Sequence, residues 1–494
     1  MRSVIVLFIL FSVFAPAVHA ADDAVAKAMR LYEKRHYVEA TTLLRSDLPS
    51  IDPGRQSAAH LTLGMIYLKN AELHRALYQE SLTVHQDYLQ KLAAAQGKSR
   101  SRFVDLYLGE TLLEAGKPDQ ALKHLERFAA DESVDSRSRA VAKAAIGLCY
   151  ALQKNIEKAD EVWNGLDRND PEIKAALANA YSKAGFRDRK PAALADESLA
   201  DLKKTGAAPS LRQVKNLISA YVSAGLIEKG LDNARRADLK TFSHRESMSQ
   251  TKVITFYDVS LLGGLSQLYS QAAIAALEKA AEDVKLRETA NFYLGEAYAL
   301  AGSLDQSIKA TASVIASSGV PQQYRDKATA RQAANQYQKG KHFEAIGTWD
   351  ELSKKTPEDP DLLAEILFSC GRLRIECPRV AQKASASADA GEGKRYANLN
   401  IALGRYYEGK KDYAKALSCL EAGRDKANKN KIESNDPVML VALADVYYRT
   451  KKFAEALEIY FEMSKQFPEV RQVQEALQGI YATEHKSAGD VKIN

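Results

Sequence analysis

The chain has 494 residues, of which 46% are hydrophobic and 27% charged, and its formal net charge is +6. This composition is ordinary for a folded protein and excludes a disordered or low-complexity chain. Basic and acidic residues alternate along the sequence, so the mild positive charge does not favour nucleic acid as a partner. Four cysteines are few for a disulfide-stapled scaffold, and a chain of this size can bury a core without them.

The first twenty residues have the pattern of a secretory signal peptide. Arg2 precedes an apolar run of eleven residues from Val4 to Phe14, and Val18-His19-Ala20 offers small residues at a cleavage site. A retained membrane anchor is the less favoured alternative, because eleven residues give about 16 Å of helix against a bilayer core of about 30 Å. We expect cleavage after Ala20 and a periplasmic or secreted mature protein without a transmembrane segment.

A five-residue pattern recurs along the rest of the chain. Leu or Ile precedes a small residue, and Tyr or Leu follows three places after that residue. The copies are LGMIY (63–67), LGETL (108–112), IGLCY (146–150), LANAY (177–181), LISAY (217–221), LGEAY (294–298), LGRYY (403–407) and LADVY (443–447). A polar break and a second small residue usually follow, as with Ala121 twelve places after Gly109. The spacing predicts pairs of amphipathic helices that cross at small residues.

The pattern resembles the tetratricopeptide repeat, which has W-x2-L-G-x2-Y in its first helix and A-x3-F, A and P later. The clearest copy lies at 436–468 and has Leu440 in place of the Trp. It matches the consensus at Leu443, Ala444, Tyr447, Phe453, Ala456, Tyr460 and Pro468. The resemblance covers almost all of the chain after residue 20. It implies an all-α, right-handed α-solenoid of about twelve helical hairpins, stabilised by the stacking of neighbours.

One interval between copies is about twice as long as the others. Ile218 and Gly295 are 77 residues apart, so we expect a degenerate hairpin around Gly263, with Ala275 as its second small residue. The polar segment 238–252 is our predicted linker between an N-terminal array (21–237) and a C-terminal array (253–468). Residues 469–494 are predicted to form a capping helix and a tail.

No catalytic or metal-binding motif is recognisable. The sequence lacks HExxH, metal-type cysteine pairs and a P-loop, and the glycines of AGEGK (390–394) follow a predicted helix and not a strand. We therefore expect no enzyme activity, no cofactor and no metal. Trp163 and Trp349 fall at core positions of second helices. For Cys370 and Cys377 we favour two small buried residues, and a disulfide stays open as the alternative.

The family resemblance also implies a binding surface. In tetratricopeptide repeats the first helices line a concave groove, and the residues just after the small residue, or one turn later, point into it. These positions are Glu110, Leu113, Glu114, Glu296, Leu300, Arg405, Glu408, Asp445, Tyr448 and Arg449. Their mixed chemistry suits a protein segment better than a polyanion, and the alternative is that they are solvated helix faces.

The resemblance and the signal peptide together predict a non-catalytic protein–protein interaction scaffold of the bacterial cell envelope. Its partners would be other envelope or secreted proteins. The alternative is a scaffold of an exopolysaccharide export or secretion system that contacts an outer-membrane pore or the glycan.

Overall fold

The computed structural model describes residues 24–34, 36–94, 101–236, 243–247, 253–355, 359–429, 437–466, 475 and 477–482. The predicted signal peptide lies outside these residues, as do parts of the predicted linker, capping helix and tail. Most of the described residues are helical. None of the helices in these ranges is long and apolar enough to cross a membrane.

The first half of the chain forms helices in pairs, with one long exception. The helices are α1 (Ala24–Glu33), α2 (Tyr37–Asp47), α3 (Pro53–Ala94), α4 (Val104–Glu114), α5 (Pro118–Ala130), α6 (Ser136–Leu152), α7 (Ile156–Asn164), α8 (Pro171–Ala184), α9 (Pro191–Thr205), α10 (Leu211–Ser223) and α11 (Ile227–Arg236). Short 3-10 helices lie at Leu48–Ser50 and Arg187–Arg189.

The second half begins with an antiparallel β-hairpin and continues in helices. The strands are β1 (Ser243–Ser247) and β2 (Val253–Tyr257). The helices are α12 (Val259–Ala281), α13 (Arg287–Leu300), α14 (Leu304–Ala316), α15 (Gln322–Gln338), α16 (His342–Lys355), α17 (Pro360–Leu373), α18 (Pro378–Ala390), α19 (Lys394–Gly409), α20 (Tyr413–Lys429), α21 (Pro437–Arg449) and α22 (Phe453–Gln466).

Small residues let the paired helices approach closely. A Cβ atom on Gly109 would lie 2.5 Å from the Cγ atom of Leu125, and one on Gly404 would lie equally close to Leu420. Both leucines come from the second helix of the same pair, sixteen residues on in the sequence. Ten pairs of consecutive helices pack in this way within the described part of the chain. The prediction of a helical solenoid built from hairpins is confirmed.

The prediction of a hairpin around LGMIY was wrong. Residues 53–94 form one continuous helix of 42 residues, α3. In confirmed hairpins the break contains a residue with positive φ, such as Gly116 at 70° or Gly302 at 79°, which turns the chain after the first helix. No such residue lies between Gly64 and Ala76, and the helix therefore continues.

The missing second helix for Gly64 comes from a distant part of the chain. A Cβ on Gly64 would lie 2.5 Å from the Cγ atom of Leu277 in α12, the same geometry as Gly109 and Leu125. The two helices are antiparallel, because Gly263, near the start of α12, contacts Tyr78, which follows Gly64 in α3. The expected degenerate hairpin around Gly263 is likewise a single helix of 23 residues. Together α3 and α12 form a non-contiguous repeat.

This helix pair is the shared wall of two closed rings. In the N-terminal ring, α3, α4, α6, α8, α10 and α12 follow one another in contact, and α12 returns to α3. In the C-terminal ring, α12, α13, α15, α17, α19 and α21 do the same, and α21 returns to α3. We call these the inner helices. A buried apolar cluster extends from Val25 through α3 and α12 to Tyr481.

The contact that closes the C-terminal ring, between α3 and the end of the chain, includes a buried polar group. Glu80 of α3 is only 4% exposed. Tyr460 of α22 and Tyr481 each donate a hydrogen bond to its carboxylate, both at 2.5 Å. Residues 477–482 are helical, and Leu477 and Ile480 are fully buried. This segment therefore covers the last hairpin and also contacts α3.

Cys370 and Cys377 form a disulfide, so the interpretation that we favoured for them was wrong. The residue between them that turns the chain is Arg374, with φ of 56°, and it leaves the two Cα atoms 6.5 Å apart. Cys370 is fully buried, and Cys149 is buried as expected. Trp163 and Trp349 are also core residues, at 0% and 1% exposure, and each donates its indole hydrogen to a backbone carbonyl at 3.0 Å.

Candidate protein-binding site

A small cleft with mixed polar and apolar walls opens inside the N-terminal ring. The first helices α4, α6, α8 and α10 and the start of α12 line it, and its empty volume is about 430 Å³, including space open to solvent. Three of the predicted contact residues, Glu110, Leu113 and Glu114, lie in its wall. The side-chain oxygen of Asn179, also in the wall, is buried and has no hydrogen-bond partner among the described residues. This oxygen is therefore an acceptor without a donor in the described part of the chain.

One lysine organises the charge at the floor of this cleft. The Nζ atom of Lys215 lies 2.9 Å from Asp258 and 3.5 Å from Glu110, and the residue is 5% exposed. Burial alone would lower the pKa of Lys215, but these two carboxylates raise it well above its ordinary value. Burial would likewise raise the pKa of Asp258, and Lys215 holds it below its usual range. The lysine stays protonated, and it links α10, α4 and the start of α12.

A second ion pair joins two inner helices of the same ring. Lys183 of α8 contacts Glu114 of α4. Burial alone would raise the pKa of Glu114, but Lys183 holds it below its usual value. Tyr78 of α3 donates its hydroxyl to the Glu114 backbone carbonyl at 3.3 Å. The long helix therefore contacts the face that the sequence predicts as a groove.

The inner face of the C-terminal ring carries a chain of alternating charges. Arg331 of α15 donates to Glu365 of α17 at 2.6 Å and lies 3.3 Å from Glu296 of α13. Burial alone would raise the pKa of Glu296, but Arg331 and then Lys69 lower it to about 2. Burial raises the pKa of Glu72 to about 8, although Lys69 lies 2.5 Å away. Lys69 and Glu72 belong to α3, so the long helix contributes to this ring as well.

The predicted charged contact residues on α19 and α21 form ion pairs close to the place where α21 returns to α3. Arg405 donates to Glu408 at 2.9 Å, and Arg449 donates to Asp445 at 2.8 Å. Burial raises the pKa of Glu408 to about 7; Arg405 opposes this shift and Asp445 adds to it. Tyr448 is 7% exposed, and its ring centroid lies 5.2 Å from that of Tyr481. Tyr448 therefore stabilises the last repeat, and a role for it in binding a partner stays a prediction.

All ten predicted contact residues lie on inner helices, and none of them is fully exposed. Leu300 is half-buried, and its backbone carbonyl accepts a hydrogen bond from Arg75 of α3 at 3.0 Å. The sequence reasoning missed the α3 side chains, because it divided that helix into a hairpin. It also missed Glu365 and Phe368, which lie one and four places after Ala364, at the same offsets as Arg405 and Glu408 after Gly404. That offset could have identified them.

No group of His, Cys, Asp and Glu side chains suited to a metal ion is found among the residues that the structure describes. The hairpins that stack through small residues, with polar inner faces, define an α-solenoid repeat protein. Three regions, 106–172, 270–321 and 401–469, match the family model described as tetratricopeptide repeat. These three regions therefore match tetratricopeptide repeats, as the sequence pattern predicts. The second matched region begins inside α12, in the half that packs against Gly64.

Solved structures with a similar chain include yeast Tom70, at 12% identity, 94% coverage of this chain, 96% of that chain and a TM-score of 0.33. The APC/C hetero-tetramer Cut9–Hcn1 has 14% identity, coverage of 95% and 98%, and a TM-score of 0.29. The TPR domain of P58(IPK) has 14% identity, coverage of 78% and 99%, and a TM-score of 0.20. At these scores no function or overall shape is carried over. No curated protein matches the sequence significantly.

Proposed function

We propose that this protein is a non-catalytic scaffold that binds segments of partner proteins inside its rings. The observation that carries the proposal is the cleft of the N-terminal ring. It is open to solvent, it is lined by Glu110, Leu113 and Glu114, and it presents the unpartnered oxygen of Asn179. A peptide supplies backbone N–H donors for such an acceptor and side chains for the mixed walls.

We also propose that the scaffold works in the bacterial cell envelope, with envelope or secreted proteins as partners. The pattern of residues 1–20 supports export. The Cys370–Cys377 disulfide supports it independently, because disulfides persist mainly in oxidising compartments such as the periplasm. N-terminal sequencing of the protein from a periplasmic fraction tests the location. We expect a mature chain that begins at Ala21, and recovery of the unprocessed chain in the cytoplasm would contradict it.

The alternative, a scaffold of exopolysaccharide export that touches the glycan, has less support. Sugar rings commonly stack on exposed tryptophans, and both tryptophans of this chain are buried. A protein partner within such an export system would still be compatible with the scaffold proposal.

The proposal is tested by capture of partners on immobilised chain 21–494 from envelope extract. The variant Asn179→Arg fills the cleft with a long cation, so we expect it to lose at least nine-tenths of the captured partner. The control Glu157→Arg makes a charge change on the exposed surface of the outer helix α7. Circular dichroism should show both variants folded. No partner above background, or equal capture by both variants, would overturn the proposal.

A further inference from the structure

Helix α17 presents a stripe of three side chains toward the interior of the C-terminal ring. Glu365, Phe368 and Arg372 are spaced by three and four residues and so share one helical face. Glu365 marks the direction of that face, because it pairs with Arg331 on the neighbouring inner helix α15. Phe368 is 41% exposed, although it is a large apolar residue. The stripe thus offers an apolar surface between two charged groups.

Arg372 has no carboxylate at ion-pair distance among the described residues, although its side chain is exposed. Among the neighbouring charges, Arg75 of α3 acts on it most strongly, while Glu296 and Glu365 act on it in the opposite sense. Loss of surrounding water, and then repulsion by Arg75, hold the pKa of Arg372 below its ordinary value. Arg372 is therefore an exposed cation without a bound carboxylate among the described residues.

Arg75 reaches the inner face of the same ring from α3. Its guanidinium donates to the backbone carbonyl of Leu300 at 3.0 Å, and no described carboxylate pairs with it. Loss of surrounding water lowers its pKa. Helix α3 packs closely against α13 and α21 but not against α15, α17 or α19. The hydrogen bond to Leu300 holds Arg75 at the end of the inner helix α13, and its repulsion of Arg372 places the two arginines near each other.

Three other arginines of this ring are neutralised by neighbours. Arg331 has two carboxylates, Arg405 has Glu408, and Arg449 has Asp445. Two guanidiniums without a counter-ion repel each other, and this repulsion is strong where water is partly excluded. An oxyanion between them would accept charge-assisted hydrogen bonds from both forks. The exposed ring of Phe368, one turn from Arg372, would contact whatever apolar group lies beside that oxyanion.

We propose that Arg75 and Arg372 bind a carboxylate of an acidic peptide segment inside the C-terminal ring, while Phe368 contacts an adjacent apolar side chain. The proposal rests on the proposed scaffold function and names a chemistry for one of its partners. A free inorganic anion would not use Phe368. An acidic residue next to a leucine-like residue uses all three side chains.

The experiment measures binding of a fluorescein-labelled peptide, Gly-Ser-Leu-Glu-Leu-Ser-Gly, to chain 21–494 by fluorescence anisotropy at low salt. The matched peptide has Gln in place of Glu. We expect the acidic peptide to bind at least tenfold more tightly than the amide peptide. Arg372→Gln should weaken its binding at least tenfold, and Phe368→Ala at least threefold. The control Arg379→Gln, an exposed arginine on the next helix, should leave binding unchanged.

Three results would overturn the inference. One is equal binding of the acidic and amide peptides. Another is displacement of the peptide by micromolar inorganic phosphate, which would indicate a phosphate site. The third is tight binding of polygalacturonate that depends on Arg372 but not on Phe368, which would indicate an acidic glycan. Melting temperatures of all variants check folding, and Arg372→Gln is expected to melt no lower than the wild-type chain, because it relieves the repulsion with Arg75.

Failure of this inference is distinguishable from failure of the scaffold proposal. If the acidic peptide does not bind, but envelope extract still yields a partner that Asn179→Arg loses, only the inference about the C-terminal ring is wrong. If neither experiment detects binding, the scaffold proposal is wrong as well.

Discussion

Tyr481 donates a hydrogen bond to Glu80 at 2.5 Å, although the two residues are 401 positions apart in the sequence. Tyr460 donates to the other oxygen of the same carboxylate. In an open solenoid the terminal repeat has one neighbour. Here the terminal repeat also rests on α3, so its stability depends on a helix made near the start of the chain.

Replacing Glu80 by Ala should loosen the C-terminal repeat. The change leaves two buried tyrosine hydroxyls without their acceptor, which costs about 1–3 kcal/mol for each unsatisfied group. We expect faster amide hydrogen exchange in α21 and α22 and unchanged exchange in α6–α9. The exposed neighbour Gln79→Ala is the control. If the amides of α21 exchange equally slowly in both variants, the hydrogen bonds to Glu80 do not stabilise the C-terminal repeat.

The stability of this closure should fall as pH rises toward 7. Burial, opposed by Arg405 and assisted by Asp445, raises the pKa of Glu408 to about 7 from an ordinary value of 4.5. Burial and then Asp445 also raise the pKa of Glu80. A carboxyl group with a raised folded-state pKa contributes its full stability below its unfolded-state pKa and loses that stability as pH rises through the folded-state pKa.

The variant Glu408→Gln mimics the protonated form and should lack part of this pH dependence. Between pH 5 and pH 7.5 the wild-type free energy of unfolding should fall by on the order of 2 kcal/mol more than that of the variant. Urea unfolding at several pH values measures the difference. Exposed Glu392→Gln is the control and should follow the wild type. If the free energy of unfolding changes with pH in the same way for wild type and Glu408→Gln, the raised pKa of Glu408 does not cause the pH dependence.

The non-contiguous repeat predicts a rescue between α3 and α12. Gly64→Val should overpack the helix crossing against Leu277, at a cost of about 1–3 kcal/mol. Leu277→Ala makes room, so the double variant should be more stable than the sum of the two single changes allows. Gly109→Val with Leu125→Ala gives the same test in a contiguous hairpin. Strictly additive costs for Gly64 and Leu277 would mean that the two residues do not touch.

The disulfide should stabilise the turn between α17 and α18. The bond lowers the conformational entropy of the unfolded chain. For so short a loop this stabilises the folded state by about 2 kcal/mol. The double variant Cys370→Ala, Cys377→Ala should therefore unfold at a lower urea concentration than Cys419→Ala, the control. Thiol titration of the denatured, unreduced protein should find two of the four cysteines reactive. Four reactive thiols would exclude the bond in the isolated protein.

The repeat pattern predicted the contiguous hairpins because their signal is local. Gly109 and Ala121 lie in one hairpin, and the spacing of small residues is visible within thirty residues of sequence. The same rule misread Gly64, whose partner Leu277 lies in another part of the chain. Ring closure was not predictable in this way, because it depends on the accumulated rotation of many repeats and on contacts such as Glu80 with Tyr460.

The inner faces could be predicted, whereas their pairing could not. The offset from the small residue located Glu110 and Glu296 correctly on inner helices. Their ion-pair partners, Lys215 and Arg331, come from helices two or more elements away. Whether an inner charge is neutralised or left open, as Arg372 is, follows only from the three-dimensional arrangement.

The pairing of α3 with α12 also sets an order for folding. Repeat proteins usually fold through contacts between sequence neighbours and so have short-range topology. Here the apolar stripe of α3 beside Gly64 stays uncovered until the residues up to Leu277 have emerged, a delay of roughly 10–40 s at about 5–20 residues per second of synthesis. During that interval the apolar surface of α3 beside Gly64 is exposed, so the growing chain should depend on a holding chaperone.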